Sequence, residues 1–253
     1  MSTKIDRRPD PKPRKLAQLY QLYQIWYELS EMKKKHILRM SSIEKEKSNM
    51  DMEIEKAFLE HTDLEKECEY FKKNMVKVAE LIAGDIWSWL VSIRGLGEGG
   101  LAAQLLAQID DISRFSNISK LWRFAGYAVI DGKAERNHQG EKSHKNNLLA
   151  AIVWNIGDQF IRQQTVFYSE IYYQEKARLR ELYPVPIDVN SGSLWQQKYT
   201  DSHIHRMAKR KMEKIFLSHL WLKWRKAEGL PESAPYVIAI LQHADLIEAQ
   251  VDL

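Results

Sequence analysis

The sequence predicts an all-α protein, with a long N-terminal coiled coil followed by a compact helical domain that contains a helix-hairpin-helix. Three observations predict it. Residues 14 to 83 contain no Gly and no Pro and are rich in Leu, Met, Glu, Lys and Gln, which favours continuous helix on intrinsic propensity. Apolar residues recur at alternating steps of three and four from Met40 to Ile82, the pattern of a heptad seam. Beyond that seam, four glycines separate two short apolar stripes of helical period.

The 253 residues suffice for one large or two modest domains with a real core. The order expected is a flexible arm (1–13), the coiled coil (14–86), the helix-hairpin-helix domain (87–183), a linker (184–198), and a basic amphipathic helix with a C-terminal tail (199–253). Charged residues make up 28% of the chain and the net charge is +4. The cations gather late, at Lys198, Arg206, Lys209, Arg210, Lys211, Lys214, Lys223, Arg225 and Lys226, which points to an acidic polymer as partner. Cys68 is the one cysteine, so no internal disulfide forms. The first residues lack an apolar signal core, and no apolar run approaches the roughly 18 residues that a membrane span needs. A cytoplasmic protein without membrane contact is expected.

Three prolines and several charges in residues 1–13 suit a solvated arm. In the next region Leu16, Leu19, Tyr20, Tyr23, Trp26, Tyr27 and Leu29 give a broad aromatic stripe, as on a helix packed against more than one neighbour. It either folds back on residues 40–82 or meets a second chain. The seam itself runs Met40, Ile43, Lys47, Met50, Ile54, Ala57, His61, Leu64, Cys68, Phe71, Met75, Val78, Ile82. A seam this long favours a homo-oligomer, with polar Lys47 and His61 fixing register or partner number. His61 has no nearby co-ligand, and no other metal or cofactor motif is present.

Leu90, Ile93 and Leu96 close one helix, and Leu101, Ala102, Leu105, Leu106 and Ile109 form the stripe of the next. Between them Gly95, Gly97, Gly99 and Gly100 permit positive φ and close backbone approach. The N–H groups that open the second helix then face outward as an anion site, suited to a nucleic-acid phosphate. Gly95, Gly97 and Gly100 also match a dinucleotide fingerprint, but that fold needs a strand before the glycines, and here a helical pattern precedes them. The plain alternative is that the glycines only join two core helices.

Further on, Ser116 or Asn117 caps a short helix that Gly126 stops, with Arg114, Lys120 and Arg123 on its outer face. A hydrophilic segment from Ile130 to Asn147 follows, then the apolar run from Leu148 to Trp154, which reads as the central helix of the domain and continues to a Tyr- and Arg-rich helix before Pro184. Thr200, Asp201 or Ser202 caps the last helix. Its cations interleave with Trp195, Trp221 and Trp224, compatible with stacking and phosphate contacts, although tryptophans at helical spacing are more often core. His203 and His205 lie two apart and make a poor metal pair on a helix.

Residues 93–128 resemble the C-terminal domain of IS-one-ten type insertion-sequence transposases, relatives of the pilin-gene invertase and of RNA-bridged recombinases. The match is carried by the glycine hairpin, by Ile109-Asp-Asp-Ile-Ser-Arg-Phe115 and by the Leu121-Trp-Arg-Phe-Ala-Gly126 helix, and extends over roughly residues 90–165. The upstream coiled coil is similar to the helical linker of full-length members. Those members also carry an RNase H-like domain with four acidic metal ligands, and nothing in residues 1–90 reads as one. The resemblance implies a serine nucleophile in the loop after the Ala-Gly helix, but residues 130–140 hold no serine. The nearest hydroxyl is Ser143, beside His144 and Lys145, where activation for attack on phosphorus is chemically feasible. Two further departures are Arg94 in place of the usual proline and Leu149 in place of an arginine.

The reading that results is a DNA-binding, transposase-like protein of a mobile element. It grips DNA, including branched or RNA-bridged forms, through Arg94, Gly95, Gly97, Gly99, Gly100, Arg123, Lys142, Lys145, Arg206, Lys209, Arg210 and Lys214. Two alternatives accompany it. One is a recombinase subunit that completes its catalytic site with a separate RNase H-like chain; the other is a non-catalytic coiled-coil structural protein.

Overall fold

In the computed structural model, residues 15–45, 64–97, 100–130, 133–134, 145–183 and 199–232 are described. The described residues form eight α-helices, one 3-10 turn (Ile112–Arg114) and a two-residue antiparallel ladder pairing Val129 with Ala134 and Ile130 with Lys133. The all-α expectation holds. None of the described helices is long and apolar enough to cross a membrane.

Helices α1 (Ala17–Lys45) and α2 (Leu64–Ile82) pack against each other. Lys33 Nζ donates to Glu65 Oε1 at 2.7 Å at one end, while Leu16, Leu19 and Tyr23 join Met75 and Ala79 in the core at the other. The pair is therefore antiparallel and internal to the chain. On α2 the buried stripe runs Cys68, Met75 and Ala79, leaving Ile82 38% exposed. An untwisted 3.6-residue helix drifts off a strict heptad in this way, and it does so here because its partner is α1. Of the two readings left open for the aromatic stripe, the fold-back is the one seen. Seam positions 47–61, with Lys47 and His61, lie outside the described residues.

Gly84, at φ +55°, separates α2 from α3 (Gly84–Ser92). Helix α4 (Leu101–Ile109) has every residue from Ala102 to Ile109 buried, the condition of a helix surrounded by protein. Asp110 then turns at φ +66° and accepts the N–H of Leu16 at 2.9 Å, which fastens the start of α1 to the end of α4. Asn117 caps α5 (Ile118–Phe124), Asn146 caps α6 (Asn147–Arg162) and Thr200 caps α8 (Asp201–Ala227), each through its side-chain oxygen. Between α6 and α7 (Tyr168–Leu182) the chain reverses through positive φ at Gln164 and Phe167.

The helix from Leu148, α6, buries Leu149, Ile152, Val153, Ile156 and Phe160 and packs on α4, α7 and α8. Helix α8, expected as a basic amphipathic helix, turns much of its surface inward. It packs on α3, α5, α6, α7 and the 3-10 turn, and buries Ile204, Met212, Phe216, Leu217, Leu220, Trp221 and Trp224. Phe216 lies parallel to Trp89 at 6.3 Å and edge-on to Phe160 at 5.3 Å. Trp221 donates to the Phe115 carbonyl at 2.7 Å. Trp221 and Trp224 are thus core, as their helical spacing favoured, and are not free to stack on bases.

Candidate nucleic-acid interface

The glycine turn joins α3 to α4 and packs on the flank of α6. Two of its described glycines need their special backbone: Gly95 has φ +96° and Gly100 has φ +73°. A Cβ at Gly95 would sit 3.3 Å from Gln159 Cβ and 3.4 Å from Gln163 Cγ, so only glycine lets the turn lie this close to α6. Thr165 Oγ1 donates to the Arg94 carbonyl at 2.9 Å and pins the turn to the end of α6. Gly97 has no positive φ, and a Cβ there would meet Val91 at 3.4 Å or more, which is ordinary contact.

The outward-facing helix start expected at the hairpin is not what the fold presents at Gly100. That residue is buried, with Lys72 and Met75 of α2 lying against it. The open space is on the other side of the turn. A groove of about 810 Å³ lies between the turn and α6, lined by Val91, Ile93, Arg94, Gly95, Gly97 and Leu101 from one wall and by Asn155, Asp158, Gln159, Arg162 and Gln163 from the other.

Arg94 and Arg162 are exposed at this groove and have no ion-pair partner among the described residues. Asp158 is held from behind by Lys209 Nζ at 2.5 Å. The described lining includes no Ser, Thr, Cys, His or Tyr. Its guanidiniums, amides and single carboxylate suit it to binding and orienting a polar ligand.

Behind the groove wall sits an ionic cluster. Lys209 is fully buried, with its ammonium 3.5 Å from the centre of the Trp154 ring and 3.9 Å from Glu213 Oε1. Glu213 is 1% exposed, accepts the Tyr127 hydroxyl on Oε2 at 2.9 Å, and its Oε1 has no hydrogen-bond partner. Burial pushes the Glu213 carboxyl up to about 8, against the pull of Lys209. Burial, reinforced by Glu213, also raises the Tyr127 phenol.

The proposed binding residues therefore divide. Arg94, Gly95 and Gly97 line the groove, while Arg123 and Arg206 are exposed elsewhere on α5 and α8. Lys209 is a correction: its ammonium pairs with Asp158 and lies against the Trp154 ring, and it has no solvent face. Arg210 is likewise engaged, donating to the carbonyls of Gly126 and Ala128 at 3.1 Å and lying over the Tyr127 ring. Lys214 packs its ammonium 4.1 Å from the Trp122 ring centre. Burial lowers the pKa of both Arg210 and Lys214. Lys145 lies along Gly126. Gly99, Lys142 and Ser143 are outside the described residues.

Arg162, Asn155, Asp158, Gln159 and Gln163 were not singled out from the sequence. The signal existed: 155, 158, 159, 162 and 163 follow the steps of one helical face, opposite the buried Ile152, Val153, Ile156 and Phe160. His205, set aside as half of a poor metal pair, instead meets the Tyr172 hydroxyl at 2.6 Å, and burial lowers its pKa. Among the described residues no three His, Cys, Asp or Glu side chains gather as a metal site. No family model, no curated protein and no solved structure matches the chain.

Proposed function

We propose that this chain is a DNA-binding protein acting in transposition or recombination, and that it grips the sugar-phosphate backbone at the groove between the glycine turn and α6. The observation that carries the reading is the pair Arg94 and Arg162, which line one groove without internal ion pairs among the described residues, beside a turn stripped of side chains. Guanidinium groups bind phosphate oxygens in bidentate fashion, and a glycine turn lets a phosphate approach the backbone. The resemblance of residues 90–165 to the transposase C-terminal domain supports the same reading. Because phosphates would supply the affinity, binding falls steeply with salt and depends little on sequence.

The test is binding of labelled linear and four-way-junction DNA across a salt series, for the wild type, for Arg94→Ala/Arg162→Ala and for Gly97→Asp. Losing two phosphate contacts lowers the slope of log K against log salt by about 1.8. Gly97→Asp fits sterically and sets a carboxylate at the groove, so it abolishes binding while the melting temperature holds. Identical slopes for the wild type and a folded double arginine variant would sink the proposal. If the loss appears instead in Arg123→Ala/Arg206→Ala, the interface lies on α5 and α8.

A further inference from the structure

We infer that the groove receives one unstacked nucleotide of a DNA strand, its base edge against the amides of Asn155, Gln159 and Gln163 and its flanking phosphates on Arg94 and Arg162. The inference rests on the DNA reading above and goes beyond backbone grip.

A phosphate only accepts hydrogen bonds, so a site built for phosphate alone calls for donors alone. This groove also carries acceptors: the amide oxygens of Asn155, Gln159 and Gln163, and the carboxylate of Asp158. Facing a bare phosphate, those oxygens are useless or repulsive. Each amide offers one carbonyl and two N–H donors, the mixed pattern that base edges complement. Asn155 and Gln159 stand at i and i+4 on α6 and Gln163 follows at i+8 as its C-cap residue, so they form one row along the groove. None of the three side-chain amides has a hydrogen-bond partner among the described residues.

Size and shape agree. A volume of about 810 Å³ exceeds what a phosphate needs and falls in the roughly 300–1,000 Å³ range of pockets that enclose organic ligands. Val91 and Leu101 supply apolar surface for the face of a base. In an intact duplex, base edges lie at the bottom of the DNA grooves and are read by elements that protrude. These amides line a concavity, so the base must leave the stack to reach them. Extrusion is least costly where pairing is already broken, and the site therefore selects bulged or mismatched DNA.

The experiment compares a perfect duplex with one carrying a single-base bulge, with 2-aminopurine at the bulge, for the wild type, Arg94→Ala/Arg162→Ala and Asn155→Ala/Gln163→Ala. Asn155 and Gln163 are exposed, so their truncation leaves the core intact, and circular dichroism verifies this. The wild type is expected to bind the bulge about tenfold more tightly than the duplex, with a change in 2-aminopurine fluorescence. The amide variant loses that preference, and the arginine variant weakens on both DNAs.

Equal binding of bulge and duplex by the wild type, through Arg94 and Arg162, overturns the inference and leaves the backbone reading standing. A preference retained by the amide variant also overturns it. Displacement of DNA by millimolar adenosine monophosphate together with no bulge preference identifies a free-nucleotide site instead. Absence of arginine-dependent binding to either DNA refutes the DNA reading itself.

Discussion

Replacing Glu213 with Gln tests the ionic cluster behind the groove. The folded chain holds this carboxyl neutral up to about 8, whereas an exposed glutamate has an ordinary value near 4.5. A raised carboxyl pKa means that the folded state binds a proton that the unfolded state releases. Stability from this group is therefore complete below about 4.5 and is lost as pH rises through about 8. The gap, at about 1.4 kcal/mol for each tenfold step in proton affinity, sets an upper bound of about 5 kcal/mol. The value of about 8 is already the balance of burial and Asp158, which oppose ionisation, against Lys209 at 3.9 Å, the Tyr127 hydroxyl and Arg210, which favour it. Glutamine keeps the volume, and either end of its amide can meet the Tyr127 oxygen, but it has no proton to lose. The assay is urea unfolding by far-UV circular dichroism at pH 5.5, 7 and 8.5. The wild-type midpoint should fall relative to Glu213→Gln as pH rises, the difference growing by up to about 1.4 kcal/mol per pH unit. Parallel profiles would show that Glu213 ionises at an ordinary pH and that the argument from burial is wrong.

Two substitutions probe how the groove and core are built. Gly95→Ala should cost about 1–2 kcal/mol through the positive φ alone and lower DNA affinity, because the new Cβ pushes the turn off Gln159; an unchanged melting temperature would contradict this. Trp221→Phe removes the bond to the Phe115 carbonyl at 2.7 Å and leaves a small void, for a loss of about 1–3 kcal/mol. Arg225 Nη1, at 3.3 Å from the same carbonyl, remains as partner, so a loss much larger than that range would mean the ring does more than pack and donate.

The sequence made the helices legible because their signals are local. The cap at Asn117, the stop at Gly126 and the cap at Thr200 are each decided within one turn of chain. What faces what was harder to read. The heptad pattern through Cys68 and Met75 is compatible with a second chain or with α1, and only the antiparallel return, with Lys33 meeting Glu65, selects α1. Helix α8 misled for a related reason. Lys209, Arg210, Lys214 and Arg225 look like a solvated cationic face, yet each finds a carboxylate, carbonyl or ring contributed by residues 50 to 110 positions away. A lysine at a core position reads as surface until its carboxylate is placed. The site was half legible: the glycines named one wall, and the polar face of α6 that makes the other wall passed for an ordinary exposed side.

The junction between α1 and α4 carries a mechanical consequence. The nine residues of α4 span about 13 Å, and the 29 of α1 about 43 Å. The α1–α2 pair is fastened to both ends of α4, by the Leu16–Asp110 bond at one and by Lys72 and Met75 on Gly100 at the other. Helices α1 and α2 thus form a cantilever with a lever ratio of about three. A force on its far tip reaches the glycine turn as torque, and a ligand that rotates the turn swings the tip about three times as far.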